Sequence, residues 1–257
     1  MNKKLGMVLS GGAVRGVAHL GILQAFFDQG LKIDVFAGTS SGAIVAVLIA
    51  SGKSPEEVKE KLKTIDFSSD INLRLPTKSM FDNHKLFEKM QSLFSKKYFE
   101  ELETKVYVTC TDLGNGEQVV FSEGEIIPVL RAASAVPVIF KPIKIDGRHL
   151  ADGGIISNMP TEPLLDKCDY LVGCNVNQVG VEEHLDDLKS ILLRTLHLTI
   201  WGNIKNNTGH VDLYLEPDNL YQYQLWDTKH IDEIFRSGYD YTVKMLDQAS
   251  VKSKLNH

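Results

Sequence analysis

Residues 38 to 42 read GTSSG, a glycine-x-serine-x-glycine pattern that selects Ser40 as a candidate nucleophile and leaves Ser41 as its variable position. A serine hydroxyl is a weak nucleophile by itself. It needs a turn that exposes it, a base that takes its proton, and N–H donors placed where negative charge develops on the group it attacks. Gly38 and Gly42 supply the first requirement, because a strained turn lets its neighbours approach closely only where they are small. The same five residues also read as a capped helix start, with Ser40 or Ser41 binding backbone N–H groups.

Two further glycine turns bear on the other requirements. Gly11-Gly12-Ala13-Val14-Arg15-Gly16 can direct several N–H groups inward, an arrangement that cradles a phosphate or holds an oxyanion. It does not spell the dinucleotide fingerprint G-x-G-x-x-G, and the Gly52-Lys53-Ser54 triplet has Val47 where a phosphate loop needs its first glycine. Asp152-Gly153-Gly154 is by composition a turn. If Ser40 is a nucleophile, it is also a carboxylate presented to take a proton. A Ser-His-Asp arrangement would need a histidine after its acid, and His184, His197, His210, His230 and His257 all follow Asp152. Of these, His197 falls inside an amphipathic helix and His257 is terminal, which places both poorly.

The elements that must position these turns follow from local patterning. Leu5 to Leu9 is a short apolar run ending at Ser10-Gly11-Gly12, and Val17 to Phe27 follows with helical spacing and a terminating Gly30. Ile33 to Phe36 is a second strand leading into GTSSG and the apolar helix AIVAVLIA. Ser54-Pro55-Glu56-Glu57 opens a third helix with a capping serine. Asn83 to Phe94, Ile126 to Ala133, His184 to Trp201 and Ile231 to Gln248 read as helices. Val106 to Thr111 with Gln118 to Phe121, and Ile143 to Ile145 with Arg148 to Ala151, read as hairpins; Asp169 to Asn175 and Val211 to Leu215 read as strands. Helices alternating with short apolar strands predict a layered α/β/α fold, and the hairpins make its sheet mixed.

At 257 residues with 43% hydrophobic content, the chain suits one domain over residues 1–257, with the motif-bearing core at about 5–175. A net charge of -5 gives no basic footprint for nucleic acid. Cys110, Cys168 and Cys174 form no C-x-x-C pair and read as free thiols of a reducing compartment. The N-terminus is too short in apolar residues for a signal peptide, and no run approaches a membrane span, so the expected location is cytoplasmic. The apolar stripe Leu185, Leu188, Ile191, Leu192, Leu196 and Trp201 is assigned to packing on the sheet. Residues 66–81 read as a packed connection or a lid. Phe67, Leu73, Leu75 and Phe81, near Arg74 and Lys78, make that segment the candidate for transient membrane-surface contact.

Taken together and in order, SGGAVRG at 10 to 16, GTSSG at 38 to 42, ASAVP at 133 to 137 and DGG at 152 to 154 resemble the patatin-like phospholipase family of lipid acyl hydrolases. The resemblance implies a three-layer α/β/α fold with a central, mostly parallel sheet and a Ser/Asp dyad in place of a triad. It makes Ser40 the nucleophile and Asp152 the general base, with Gly11, Gly12 and Ala13 as oxyanion-hole donors. Gly16, Gly38, Gly42, Gly153 and Gly154 are the motif glycines. Ala13 replaces the usual third glycine, a mild change unless that position needs a positive φ. Arg15 matches the basic position of the loop, where it stabilises the loop or binds an anion. No metal or cofactor is implied; the implied partner is a lipid or other ester substrate. The alternatives are a lipid-binding or regulatory protein on the same fold, and a conventional Ser-His-Asp esterase.

Overall fold

LGMVL forms β1 (Leu5–Leu9) and is buried at all five positions, as a parallel strand covered on both faces must be. The computed structural model describes residues 3–65, 81–181, 185–224, 228–248 and 251. After β1 come α1 (Val17–Asp28), β2 (Val35–Thr39), α2 (Ser41–Ala50), α3 (Pro55–Lys63), α4 (His84–Met90), β3 (Lys105–Asp112) and β4 (Glu117–Phe121). The chain continues through α5 (Ile126–Ala133), β5 (Ile143–Ile145), β6 (Arg148–Asp152), β7 (Tyr170–Cys174), α6 (Leu188–Asn207), β8 (Leu213–Leu215) and α7 (Ile231–Leu246).

The strands form one sheet in the order β5-β6-β3-β2-β1-β7-β8, with β4 also paired to β3. β1, β2, β3, β7 and β8 run parallel, while β4, β5 and β6 enter through antiparallel pairs, so the sheet is mixed, as its hairpins predict, and mostly parallel, as the resemblance implies. Alternation along the strands separates two cores. Met7, Leu9 and Phe36 join the larger core with residues of α1, α2, α5 and α7; Val8, Val35 and Ala37 join Met159, Leu164 and Ile204 on the opposite face. Helices therefore cover both faces.

The helix signals are local and were readable. Ser54 Oγ accepts the Glu57 N–H at 3.1 Å to cap α3, and Gly30 takes φ 72 after α1. The packing of α7 on α1 is not local. A Cβ on Gly21 would lie 2.0 Å from the Phe235 carbonyl oxygen, and one on Gly238 would lie 2.1 Å from that of Ala18, so the two backbones cross in contact.

Two expectations shift. β2 extends to Thr39 and so runs directly into GTSSG, and α6 begins at Leu188 and continues to Asn207, past the expected end at Trp201. The apolar stripe on α6 is a correction. Leu185, Leu188, Ile191 and Leu192 are 42%, 72%, 47% and 41% exposed, and only Leu196 and Trp201 are partly buried. The sheet is met by the other side of the helix, through Ile204. Of the segment expected as a connection or lid, all but Phe81 lies outside the described residues, as do His184 and His257. Among the described residues, no helix is long and apolar enough to cross a membrane.

Candidate active site

Strand order places the turns. β1 has β2 on one side and β7 on the other, so the chain leaves β1 in opposite directions and opens a crevice beyond the carboxyl ends of these strands. Ser10 to Gly16 follows β1 at that edge and Ser40 follows β2. Thr39 pairs with Thr109 of β3, and Asp152, the last residue of β6, pairs with Cys110 on the other side of β3. Ser40 and Asp152 thus flank one strand and meet above its end.

Ser40 occupies φ 51, ψ -126, a backbone region that L-residues rarely adopt, and is the N-cap of α2 without a side-chain cap bond. Its hydroxyl is therefore free of the capping role that a serine at this place usually takes. The elbow closes tightly. A Cβ on Gly42 would stand 2.3 Å from the Leu9 carbonyl oxygen, and one on Gly38 2.8 Å from the Ala43 nitrogen. Gly16 meets the Ser41 hydroxyl in the same way, at 2.6 Å, which locks the first turn against the second.

Asp152 is 3% exposed, and its carboxylate accepts the Gly154 N–H at 2.8 Å. Burial pushes its carboxyl up to about 6, while the Gly154 N–H and a hydrogen bond from the Ser40 side chain act in the opposite direction. Gly153 is required by close approach, since a Cβ there would lie 2.3 Å from the Thr109 carbonyl oxygen. Gly154 faces Asn158 Oδ1 and Asp152 Oδ1, at 2.8 and 3.0 Å from the same construction.

The glycine loop departs from expectation at two residues. Gly11 does not offer a free donor: its N–H is committed to Asn158, at 3.1 Å from Oδ1 and 3.3 Å from the carbonyl oxygen. Gly12 and Ala13 have no acceptor for their N–H groups among the described residues. Ala13 takes φ 51, so the position that departs from glycine is one where a side chain is strained. Arg15 is buried and donates to three carbonyls, Tyr223 at 2.9 Å, Gln178 at 3.1 Å and Tyr221 at 3.1 Å. Burial lowers its pKa to about 10. It ties the loop to two distant segments and, among the described residues, makes no ion pair with a surface carboxylate.

These groups share a cavity of about 240 Å³. Ser40, Asp152 and the loop glycines lie along its polar wall; Ile44, Leu62, Met90, Val136, Leu193 and Ile231 represent its larger apolar part. His197 also lines it, held neutral by burial and by Arg15 and Arg194, which lower its pKa to about 4. The expectation that a position inside a helix places His197 poorly is corrected here, since that helix forms part of the cavity wall. His210 is bonded to Thr161 at 3.1 Å and His230 to Glu233 at 3.1 Å.

Four residues at the site escaped the sequence reading. Asn158 holds Gly11, Asn203 and Asn207 of α6 bind the 154–159 segment, and His19 donates from Nε2 to the Ser10 carbonyl at 2.8 Å. Burial keeps His19 neutral, with a pKa of about 4. Three of them carry a signal, His19 as a polar residue within VAHLGIL and Asn203 and Asn207 one turn apart on one side of a helix, whereas Asn158 carries none.

A family sequence model described as patatin-like phospholipase matches residues 7–165. An uncharacterized NTE family protein of Mycobacterium tuberculosis is 30% identical over 178 residues, 68% of this chain and 49% of that protein. Lysophospholipase NTE1 of Saccharomyces cerevisiae is 28% identical over 274 residues, 92% of this chain and 16% of that protein. The chain thus spans no more than about half the length of these relatives. Among solved structures, VipD from Legionella pneumophila has the same fold, with a TM-score of 0.60, 15% identity, and coverage of 96% of this chain and 67% of that one.

Proposed function

We propose that this chain, which belongs to the patatin-like phospholipase family, is a lipid hydrolase that cleaves carboxylic esters of phospholipids or related lipids through Ser40 and Asp152. The observation that carries the reading is the placement of Ser40, on a strained elbow, and the buried carboxylate of Asp152 in the wall of one mostly apolar cavity, where burial pushes that carboxyl up to about 6. Such a group is ionised at neutral pH yet basic enough to take a proton.

In the first step Asp152 takes the hydroxyl proton as Ser40 Oγ bonds to the ester carbonyl carbon. The carbonyl π electrons move onto oxygen, where the Gly12 and Ala13 N–H groups receive the charge. Collapse of that intermediate breaks the bond to the alcohol, which leaves with the proton from Asp152. Water then adds to the acyl-enzyme, again giving its proton to Asp152, and the acid departs as Ser40 recovers its hydrogen. The apolar part of the cavity accommodates the acyl chain. The exposed apolar side of α6, with Leu188 and Ile191, is the described surface that suits transient contact with lipid.

An alkyl phosphonate that phosphonylates active serines provides the test. Stoichiometric labelling at Ser40, absent in Ser40→Ala, together with hydrolysis of a panel of phospholipid, lysophospholipid, glyceride and short-chain esters, is the expected result. A folded wild type that neither labels nor turns over any of these esters would leave a lipid-binding protein on the same fold.

A further inference from the structure

A trans peptide is planar, with its carbonyl and N–H pointing in opposite directions, so a bond to one of them sets the direction of the other. In the glycine loop every relevant carbonyl is held. The Ser10 carbonyl accepts from His19 Nε2 at 2.8 Å, and the Gly11 N–H of the same peptide goes to Asn158. The Gly11 carbonyl accepts from Ser10 Oγ at 3.1 Å and from Asn158 Nδ2 at 3.4 Å. The Gly12 carbonyl accepts the Arg15 N–H at 3.1 Å. The N–H groups on the far ends of the last two peptides belong to Gly12 and Ala13, the two that remain uncommitted.

Among the described residues, Asn158 is the one side chain that grips the loop on both edges of a residue, accepting from the Gly11 N–H and donating to the Gly11 carbonyl. It is 2% exposed and lines the same cavity as Ser40 and Asp152. Its own place is secured from α6. Asn203 Oδ1 accepts the Asn158 N–H at 2.9 Å, and Asn203 Nδ2 donates to the Gly154 carbonyl at 2.7 Å, in the turn that carries Asp152. Ser10 Oγ, the other group on the Gly11 carbonyl, also accepts the Val176 N–H at 3.0 Å and lies 3.4 Å from Asn175 Oδ1, so its single proton has a competing acceptor.

We propose that Asn158 is a positioning residue for the hydrolysis, clamping Gly11 so that the following peptide directs the Gly12 N–H at the ester oxygen. The proposal rests on the reading of Ser40 as the nucleophile. Asn158 touches no reacting atom; it acts through the peptide it turns. Its loss lets that peptide rotate and costs stabilisation of the oxyanion while leaving the apolar cavity, and hence binding of the uncharged ester, in place.

The test compares two ligands on wild type and Asn158→Ala: a long-chain trifluoromethyl ketone, which adds to the serine hydroxyl to form an oxyanion, and the corresponding alkyl ether, which does not. Asn158→Ala is expected to lower kcat and ketone affinity about 10- to 100-fold, with KM and ether affinity within about threefold. Unchanged kcat and ketone affinity would overturn the proposal, as would equal losses for ketone and ether. Should the variant not fold, amide hydrogen exchange on the wild type decides. The Asn158 side-chain amide, which donates to the Gly11 carbonyl, is expected to be protected with and without the ketone, and the Gly12 amide to gain protection only in the adduct; an Asn158 side-chain amide that exchanges freely in the folded wild type overturns the clamp. Absence of any ketone adduct at Ser40 in folded wild type overturns the hydrolase reading itself.

Discussion

Ser40 and Ser41 are adjacent in sequence and opposite in conformation: Ser40 stands at φ 51, ψ -126, and Ser41 is the first residue of α2. The difference predicts opposite responses to one substitution. Ser40→Gly removes the side chain from a strained backbone and is expected to stabilise the fold by about 1 kcal/mol while abolishing phosphonate labelling. Ser41→Gly has no strain to relieve and is expected to be neutral or destabilising. Urea unfolding of both variants reads the comparison, and a loss of stability in Ser40→Gly would contradict the strain.

Asp152 makes a pH-dependent prediction in two observables. The free-enzyme kcat/KM should rise with pH and level off above an inflection near 6, because only the ionised carboxylate takes the Ser40 proton. Stability should move the other way. The folded carboxyl binds its proton more tightly than an unfolded one, at about 6 against 3.8, so the stabilisation from protonation is complete below 3.8 and is lost as pH rises through about 6. Asp152→Asn should therefore be more stable than wild type by about 3 kcal/mol at pH 8, with the gap closing as the solution is acidified. A constant difference across that range would remove the buried charge as its cause.

Ala13 offers a gain that does not touch the nucleophile. At φ 51 its methyl group is unfavourable, and Ala13→Gly is expected to add up to about 1 kcal/mol of stability. The N–H remains, so the labelling rate of Ser40 should change by less than about threefold. A thermal melt and a labelling time course measure the two effects, and a fall in melting temperature would mean that the strain is compensated by packing around the methyl group.

Much of this arrangement was legible because it is local. The strand, glycine turn and helix that carry Ser40 follow from a short run of apolar and small residues, and the cap at Ser54 needs three residues. What escaped the reading joins distant positions. Whether Gly11 donates to substrate depends on Asn158, 147 residues away, and whether the apolar side of α6 is buried depends on which of its sides Ile204 turns to the sheet. Periodicity identifies a stripe without saying what it meets. A place inside a helix likewise says nothing by itself of His197, because that helix forms a wall of the cavity.

Arg15 separates a structural cation from a ligand-binding one. Its three carbonyl acceptors diverge, and the planar fork of a guanidinium meets them together where an ammonium cannot. Arg15→Lys is therefore expected to lose about 2 kcal/mol of stability although the charge is kept. If Arg15 instead bound an anionic head group, the same variant would keep its stability and lose discrimination between phospholipid and neutral glyceride. Chemical unfolding beside KM values for the two ester classes distinguishes these outcomes.

The outward side of α6 yields a prediction about where the protein meets lipid. Leu188, Ile191 and Leu192 are exposed, so replacing all three with Gln removes little buried area, and the melting temperature should stay within a few degrees of wild type. Hydrolysis of a water-soluble short-chain ester should also be unchanged, because the cavity is lined from the same helix by Leu193, Leu196 and Ile200, which remain. Sedimentation with phospholipid vesicles, and turnover of ester presented in them, should fall together if these side chains insert at the interface. Vesicle binding that persists in the triple variant would move the contact to another surface, and a large drop in melting temperature would mean that the three side chains are covered in the folded protein.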